Sequence, residues 1–211
     1  MNAARAVVVL AGGEGRRMGG DKPLMPWGQT TLIGRAVAQA RAFGGEIAVA
    51  VRDPRQVAGA VDTLLLVDAA DIQGPLAGLA SALMFARDIG AVDVLTLPCD
   101  APRLPLDLAQ RLALDLRGGA KVAIAQSAGR LHPTCALWRT AALNVLPRYI
   151  ASDQRSLKGF AATLGMACVE WSAEEGDPFA NANTPEELAG LQVGWPATSR
   201  AAWTNASLGS I

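Results

Sequence analysis

Two charged residues, far apart in the chain, stand in settings that suit them for chemistry. Lys22 lies near the end of residues 7–24, VVVLAGGEGRRMGGDKPL, and Asp100 lies between Pro98 and Pro102 in LPCDAPRLP. Glycines such as Gly12 and Gly13 let backbone N–H groups turn outward and approach an anion closely. Arg16 and Arg17 can grip phosphate oxygens bidentately, while Lys22 acts on them as a point charge. This combination predicts a site for the phosphates of a nucleoside triphosphate. Asp100, held between prolines just past an apolar run, is suited to Mg²⁺, which takes one or two carboxylates and fills its shell from phosphate oxygens and water. An aspartate capping a helix would read the same way locally.

Two familiar phosphate loops are absent. A Walker loop needs Gly-Lys followed by Ser or Thr, whereas Lys22 follows Asp21 and precedes Pro23. A dinucleotide fingerprint needs Gly-x-Gly-x-x-Gly opening into a helix, but Gly13, Gly15 and Gly19 miss that spacing by one residue. Pro23 and Pro26 delay any helix further.

The elements that must carry these residues follow from the apolar patterning. Val7, Val8, Val9 and Leu10 read as a buried parallel strand. Thr30 or Thr31 caps a helix to about residue 43, stopped by Gly44 and Gly45. Strands follow at 46–51 and 63–67, a helix from Gly74-Pro75 to about 88, a strand at 92–97 and a helix near 105–116. This alternation predicts an α/β domain with a mainly parallel sheet, in which ligands collect beyond the carboxyl ends of the strands. Farther on, strands are expected at 121–126, 131–138 and 167–171, with helices at 141–149 and 154–164. Thr184-Pro185-Glu186-Glu187 opens a last helix, with Thr184 as its cap and Glu187 placed for a capping box. We expect one domain over 1–193 and an irregular or partly disordered tail over 194–211, whose Trp195 and Trp203 could dock on the body.

Composition narrows the partners. The 19 basic and 19 acidic residues cancel, which argues against bulk attraction to nucleic acid or membrane and favours a small-molecule partner. Residues 6–11 are too short for a signal-peptide core and nothing reaches the length of a membrane span, so a cytoplasmic location is expected. Cys99, Cys135 and Cys168 form no Cys-x-x-Cys pair and are expected to be reduced and structural.

The segments LAGGEGRRMGGDKPL, GPLAGL, LPCDAPRLP, HPTCALW and NANTPEEL occur in this order over about residues 6–191. Together they resemble the molybdenum cofactor guanylyltransferases, of a nucleotidyltransferase superfamily with a three-layer, Rossmann-like α/β fold. The first segment alone recurs in sugar-nucleotide and cytidylyl transferases. The resemblance implies that Leu10, Ala11 and Gly12 contact the guanine nucleotide, Lys22 its phosphates, Asp68 its nucleoside, and Asp100 both nucleotide and Mg²⁺. Asp71 rivals Asp68, because the intervening loop is one residue shorter than in some relatives. An asparagine often found at the end of the second strand falls near Ala50 here, a departure that affects base or ribose recognition. Asn181 and Asn183 are implied to face the pterin substrate or the metal; the cytidylyl relatives tend to carry aspartates there. Gly74, Pro75, Gly78 and His132 are candidate contacts to the acceptor. For Gly74, Pro75 and Gly78 a packing role would suffice, and for His132 a structural hydrogen bond. GTP and molybdopterin or molybdenum cofactor are the implied substrates, with molybdoenzyme apoproteins or their chaperones as candidate recipients of the product.

The residues themselves indicate what such a reaction would need. A phosphate monoester acceptor has a second pKa near 6 and is largely dianionic at neutral pH, so it attacks without a general base. No Ser or Cys sits in an arrangement for nucleophilic catalysis, and His132 is the only histidine. What remains is charge neutralisation and alignment, supplied by Lys22, Arg16 and a metal on Asp100. Alternatives are a transferase using CTP or making a nucleotide sugar, and a non-catalytic carrier that binds GTP without turnover.

Overall fold

The computed structural model describes residues 5–13, 22–57 and 59–193. The expectation for the tail, including Trp195 and Trp203, and the placement of Arg16 and Arg17 therefore lie outside the described residues.

The strands are β1 (Arg5–Leu10), β2 (Pro26–Trp27), β3 (Thr30–Thr31), β4 (Glu46–Val51), β5 (Leu64–Val67), β6 (Asp93–Pro98), β7 (Val122–Ser127), β8 (Arg130–Arg139) and β9 (Met166–Trp171). The helices are α1 (Leu32–Phe43), α2 (Pro75–Asp88), α3 (Leu108–Arg117), α4 (Leu146–Ala151), α5 (Leu157–Leu164) and α6 (Pro185–Val193). Seven strands form one sheet in the order β5-β4-β1-β6-β8-β7-β9, and β2 pairs with β3 apart from it. Only β8 runs against the others in that sheet.

Side-chain alternation divides the core into two layers. Val7 and Val9 face α1 and α3, packing with Ile33, Val37, Leu108 and Leu112. Ala6 and Val8 face the other way, toward Leu76, Leu79 and Leu83 of α2 and Phe160 of α5. Helices therefore cover both faces, which is why the central strands read as unbroken apolar runs. The chain winds from β1 to β4 to β5 in one direction, then α2 returns it to β6 on the far side of β1. Such a reversal opens a crevice at the carboxyl ends of the strands.

Local signals set most element ends. Thr31 Oγ1 accepts from the Gly34 N–H at 3.1 Å to begin α1, and Gly44, with φ 73°, ends it. Thr184 Oγ1 accepts from the Glu187 N–H at 3.2 Å at the start of α6. The expected capping box is shifted by one residue: the Glu187 carboxylate accepts from the Asn183 N–H at 2.6 Å. The helix expected at 141–149 is instead a 3₁₀ turn, Thr140–Asn144, followed by α4. Pro147 cannot donate to the preceding turn, so the backbone restarts there. α5 starts later than expected because Ser156 caps it, accepting from the Gly159 N–H at 3.2 Å. α3 likewise begins at Leu108, after a turn in which its N–H donates to Pro105 O at 3.2 Å.

The second half of the sheet contains the feature that shapes the crevice. Ile124 pairs with Ala136 while Ala125 pairs with His132, so residues 133–135 have no partner on β7. β6 follows β8 only as far as Thr96 opposite Ala136. Beyond that point the two strands part, leaving room between the Asp100 loop and Thr134.

Candidate active site

A cleft of about 540 Å³ opens at the carboxyl ends of β1, β4, β5 and β6. Backbone bonds continue past the strand ends and fix its floor: Ala11 N–H donates to Ala50 O, Asp68 N–H to Val51 O, and Cys99 N–H to Leu10 O.

Lys22 and Asp100, 78 residues apart, meet here with Nζ and Oδ2 at 2.5 Å. Lys22 Nζ also donates to Asn183 Oδ1 at 3.0 Å. The pair is largely enclosed, with side-chain exposures of 14% and 18%. Asn183 arrives because the Ala182 N–H donates to Asp100 O at 3.2 Å and because Glu187 holds the Asn183 N–H. Three distant segments thus converge on one ammonium group.

Asp68 occupies the opposite wall. Its Oδ1 is buried and has no hydrogen-bond partner among the described residues. Burial raises its pKa above the ordinary carboxylate value, and Arg52 works in the opposite direction. A side chain on Gly12 would collide with Asp68 Oδ2, and a Cβ on Gly78 would come within 3.2 Å of Leu10 Cδ2. A residue larger than glycine at position 12 would thus displace the Asp68 carboxylate, whereas at position 78 Leu10 would need only a small adjustment. Asp71 instead borders a separate recess of about 80 Å³ beside Asp153 and Arg155, so Asp68 is the aspartate that faces the cleft.

Gly74, which caps α2, has φ 72° and ψ −157°, a region essentially restricted to glycine. Gly74→Ala is expected to reduce unfolding free energy by about 1–3 kcal/mol in urea denaturation. An unchanged midpoint would show that the entry to α2 relaxes without strain.

Leu10, Ala11, Gly12, Gly13, Lys22, Asp68, Gly74, Pro75, Gly78, Asp100 and Asn183 all line the cleft. His132 does not line it, and Asn181 is exposed and also outside its lining. Arg52 and Thr134 line it without having been singled out from the sequence. Arg52 could have been suspected as a charged residue just beyond a buried strand, two positions after Ala50. Thr134 lies inside HPTCALW, but its exposure to the cleft depends on the unpaired stretch of β8.

No cluster of three or more His, Cys, Asp or Glu suited to a metal occurs among the described residues. Asp100, opening on this cleft beside Lys22, nevertheless fits a cation that draws its other ligands from substrate and water. Cys99 is no nucleophile, because burial and the neighbouring Asp100 charge push its thiol up to about 12. Cys99, Cys135 and Cys168 are all free thiols.

A crevice at the strand reversal that brings a lysine, an aspartate and an asparagine together is an arrangement suited to binding phosphates. Residues 7–167 match the MobA-like NTP transferase domain, and the chain belongs to that family. It is 38% identical over 190 residues to the molybdenum cofactor guanylyltransferase of Acidiphilium cryptum, covering 89% of this chain and 93% of that protein. It is 40% identical to the one from Rhodopseudomonas palustris strain BisB5, covering 88% and 91%. In fold it is similar to molybdopterin-guanine dinucleotide biosynthesis protein A of Archaeoglobus fulgidus, with TM-score 0.71 and 22% identity over 89% of this chain and 97% of that one. It is also similar to a CMP-2-keto-3-deoxy-manno-octonic acid synthetase complexed with CTP, with TM-score 0.71 and 16% identity over 90% and 98%. No helix among the described residues is long and apolar enough to cross a membrane.

Proposed function

We propose that this protein transfers GMP from GTP to the terminal phosphate of molybdopterin, releasing pyrophosphate and forming the guanine dinucleotide cofactor, with Mg²⁺ as its metal. The observation that carries this reading is the convergence of Lys22, Asp100 and Asn183 in the cleft, in a chain 38% identical to a guanylyltransferase.

The chain's own residues supply binding and charge. Lys22 neutralises phosphate oxygens, and Arg16 and Arg17 of the glycine-rich segment add positive charge. The unpartnered Asp68 Oδ1 accepts from an N–H or O–H donor of the nucleoside, which would satisfy a buried acceptor. Leu10, Ala11, Gly12 and Gly13 bring backbone against the nucleotide. Asp100 would hold Mg²⁺, whose charge would favour the developing pyrophosphate and the α-phosphoryl centre. An acceptor phosphate oxygen forms a bond to the α-phosphorus of GTP, the bond from that phosphorus to the bridging oxygen breaks, and pyrophosphate departs with the electron pair. Gly74, Pro75, Gly78, Asn181, Asn183 and His132 belong to the acceptor side in this scheme.

The test is pyrophosphate release with Mg²⁺ and molybdopterin, run in parallel with GTP, CTP, ATP and UTP. Acceptor-dependent release with GTP alone supports guanylyl transfer. A preference for CTP would move the protein to cytidylyl transfer with the same site chemistry. GTP binding without release would favour a carrier.

A further inference from the structure

Ser127, His132 and Asp177 lie outside the cleft lining, yet they form a defined hydrogen-bonded group. Ser127 ends β7 and is fully buried, His132 lies in β8, and Asp177 follows β9. Ser127 Oγ donates to Asp177 Oδ1 at 2.7 Å and lies 2.8 Å from His132 Nε2. A hydroxyl has one proton, and an ionised carboxylate only accepts. With that proton directed at Asp177, the serine oxygen can only accept from the imidazole, so Nε2 carries the hydrogen. The Phe179 N–H donates to the same Asp177 oxygen at 2.9 Å, and its ring stacks on His132 with centroids 4.8 Å apart. The tilt of the imidazole and the position of its proton are both constrained.

This order differs from a hydrolytic triad, in which histidine stands between serine and aspartate and removes the serine proton. Here serine is central and its proton points away from histidine, so no nucleophile is generated. The group that remains available is His132 Nδ1. It has no hydrogen-bond partner among the described residues and is not among the fully buried unpartnered atoms, so it is not sealed from solvent. Burial lowers the His132 pKa from its ordinary value, opposed by Asp177 and Glu170 and assisted by Arg130, which favours the neutral ring. A neutral Nδ1 is a hydrogen-bond acceptor, unsuited to holding a phosphate.

Two links connect this group to the cleft. Thr134, two residues along β8, lines it. The segment leaving Asp177 delivers Ala182, whose N–H donates to Asp100 O, and then Asn183.

We propose that Ser127 and Asp177 are positioning residues that lock His132 as its Nε2–H tautomer and present Nδ1 to an N–H donor on the heterocycle of the second substrate. The identity of that heterocycle rests on the function proposed above; the tautomer does not.

Because the chain has a single histidine, protein labelled with ¹⁵N-histidine gives one imidazole, and its nitrogen shifts report which atom is protonated. The free protein at pH 7 is expected to show Nε2–H alone, Ser127→Ala a mixture, and Ser127→Thr a return to Nε2–H. An Nδ1–H ring or a mixture in the unmodified protein would overturn the lock. Kinetically, Ser127→Ala should raise KM for molybdopterin roughly ten-fold, the worth of a lost hydrogen bond, and leave KM for GTP within about two-fold. His132→Gln keeps an amide donor near the Nε2 position and deletes Nδ1, so it should show the same split even if Ser127→Ala folds poorly. An equal rise in both KM values, or none in either, would overturn the substrate contact. Absence of acceptor-dependent turnover in the unmodified protein would sink the proposed function and leave the tautomer to the spectra.

Discussion

Asp100→Ala is expected to slow metal-dependent turnover by roughly a thousand-fold or more, because it removes the carboxylate beside Lys22 that suits a cation next to the phosphates. The fold should survive. The Asp100 backbone carbonyl, which accepts from the Ala182 N–H, is kept by alanine, and the side chain projects from a loop after β6 rather than into either core layer. Lys22 would retain Asn183 and, opening on a 540 Å³ cleft, could recover water. Asp100→Asn is the control, since it offers Lys22 an oxygen without the charge. Pyrophosphate release and thermal unfolding on the same samples check the expectation. Near-normal turnover in both variants would remove the metal from Asp100.

Lys22→Ala is expected to lower kcat/KM for GTP by roughly a hundred-fold, with both KM and kcat affected, because the ammonium serves ground-state phosphates and the departing pyrophosphate. Lys22→Arg should recover only part of this. A guanidinium is planar and places its N–H groups in a fork, whereas Asp100 and Asn183 engage a single nitrogen. Steady-state kinetics over a range of GTP concentrations separates the two parameters. An unchanged kcat/KM in Lys22→Ala would take Lys22 out of the nucleotide site.

The first half of the fold was legible because its signals are local. Thr31 and Gly44 bracket α1, Gly74-Pro75 opens α2, and the apolar runs of β1, β4 and β6 need only their own composition to read as buried strands. The second half depends on long-range pairing. Nothing within residues 130–139 announces that β8 runs against its neighbours or leaves 133–135 unpaired, since both facts are set by β6 and β7. The site divides in the same way. Lys22 and Asp100 could be named from the chemistry of their own segments, whereas Asp68 and Asn183 were reached only through the family resemblance. Choosing Asp68 over Asp71 needed the path of the chain after β5, and pairing His132 with Asp177 needed two segments 45 positions apart to be brought together by Ser127, which bonds to both. Ala50, the position at which the resemblance called for an asparagine, is fully buried against α2, and Arg52, just past that strand end, lines the cleft.

The tether of Lys22 to Asp100 and Asn183 also bears on affinity. A lysine ammonium has three N–H donors, and two are engaged by the protein, leaving one for an incoming oxygen. A free lysine side chain gives up as much as about 2 kcal/mol of rotational entropy when a ligand immobilises it. Here that freedom is surrendered when the chain folds, so the nucleotide meets an arm already stiff and aimed, and more of the attraction between phosphate and ammonium is available for binding.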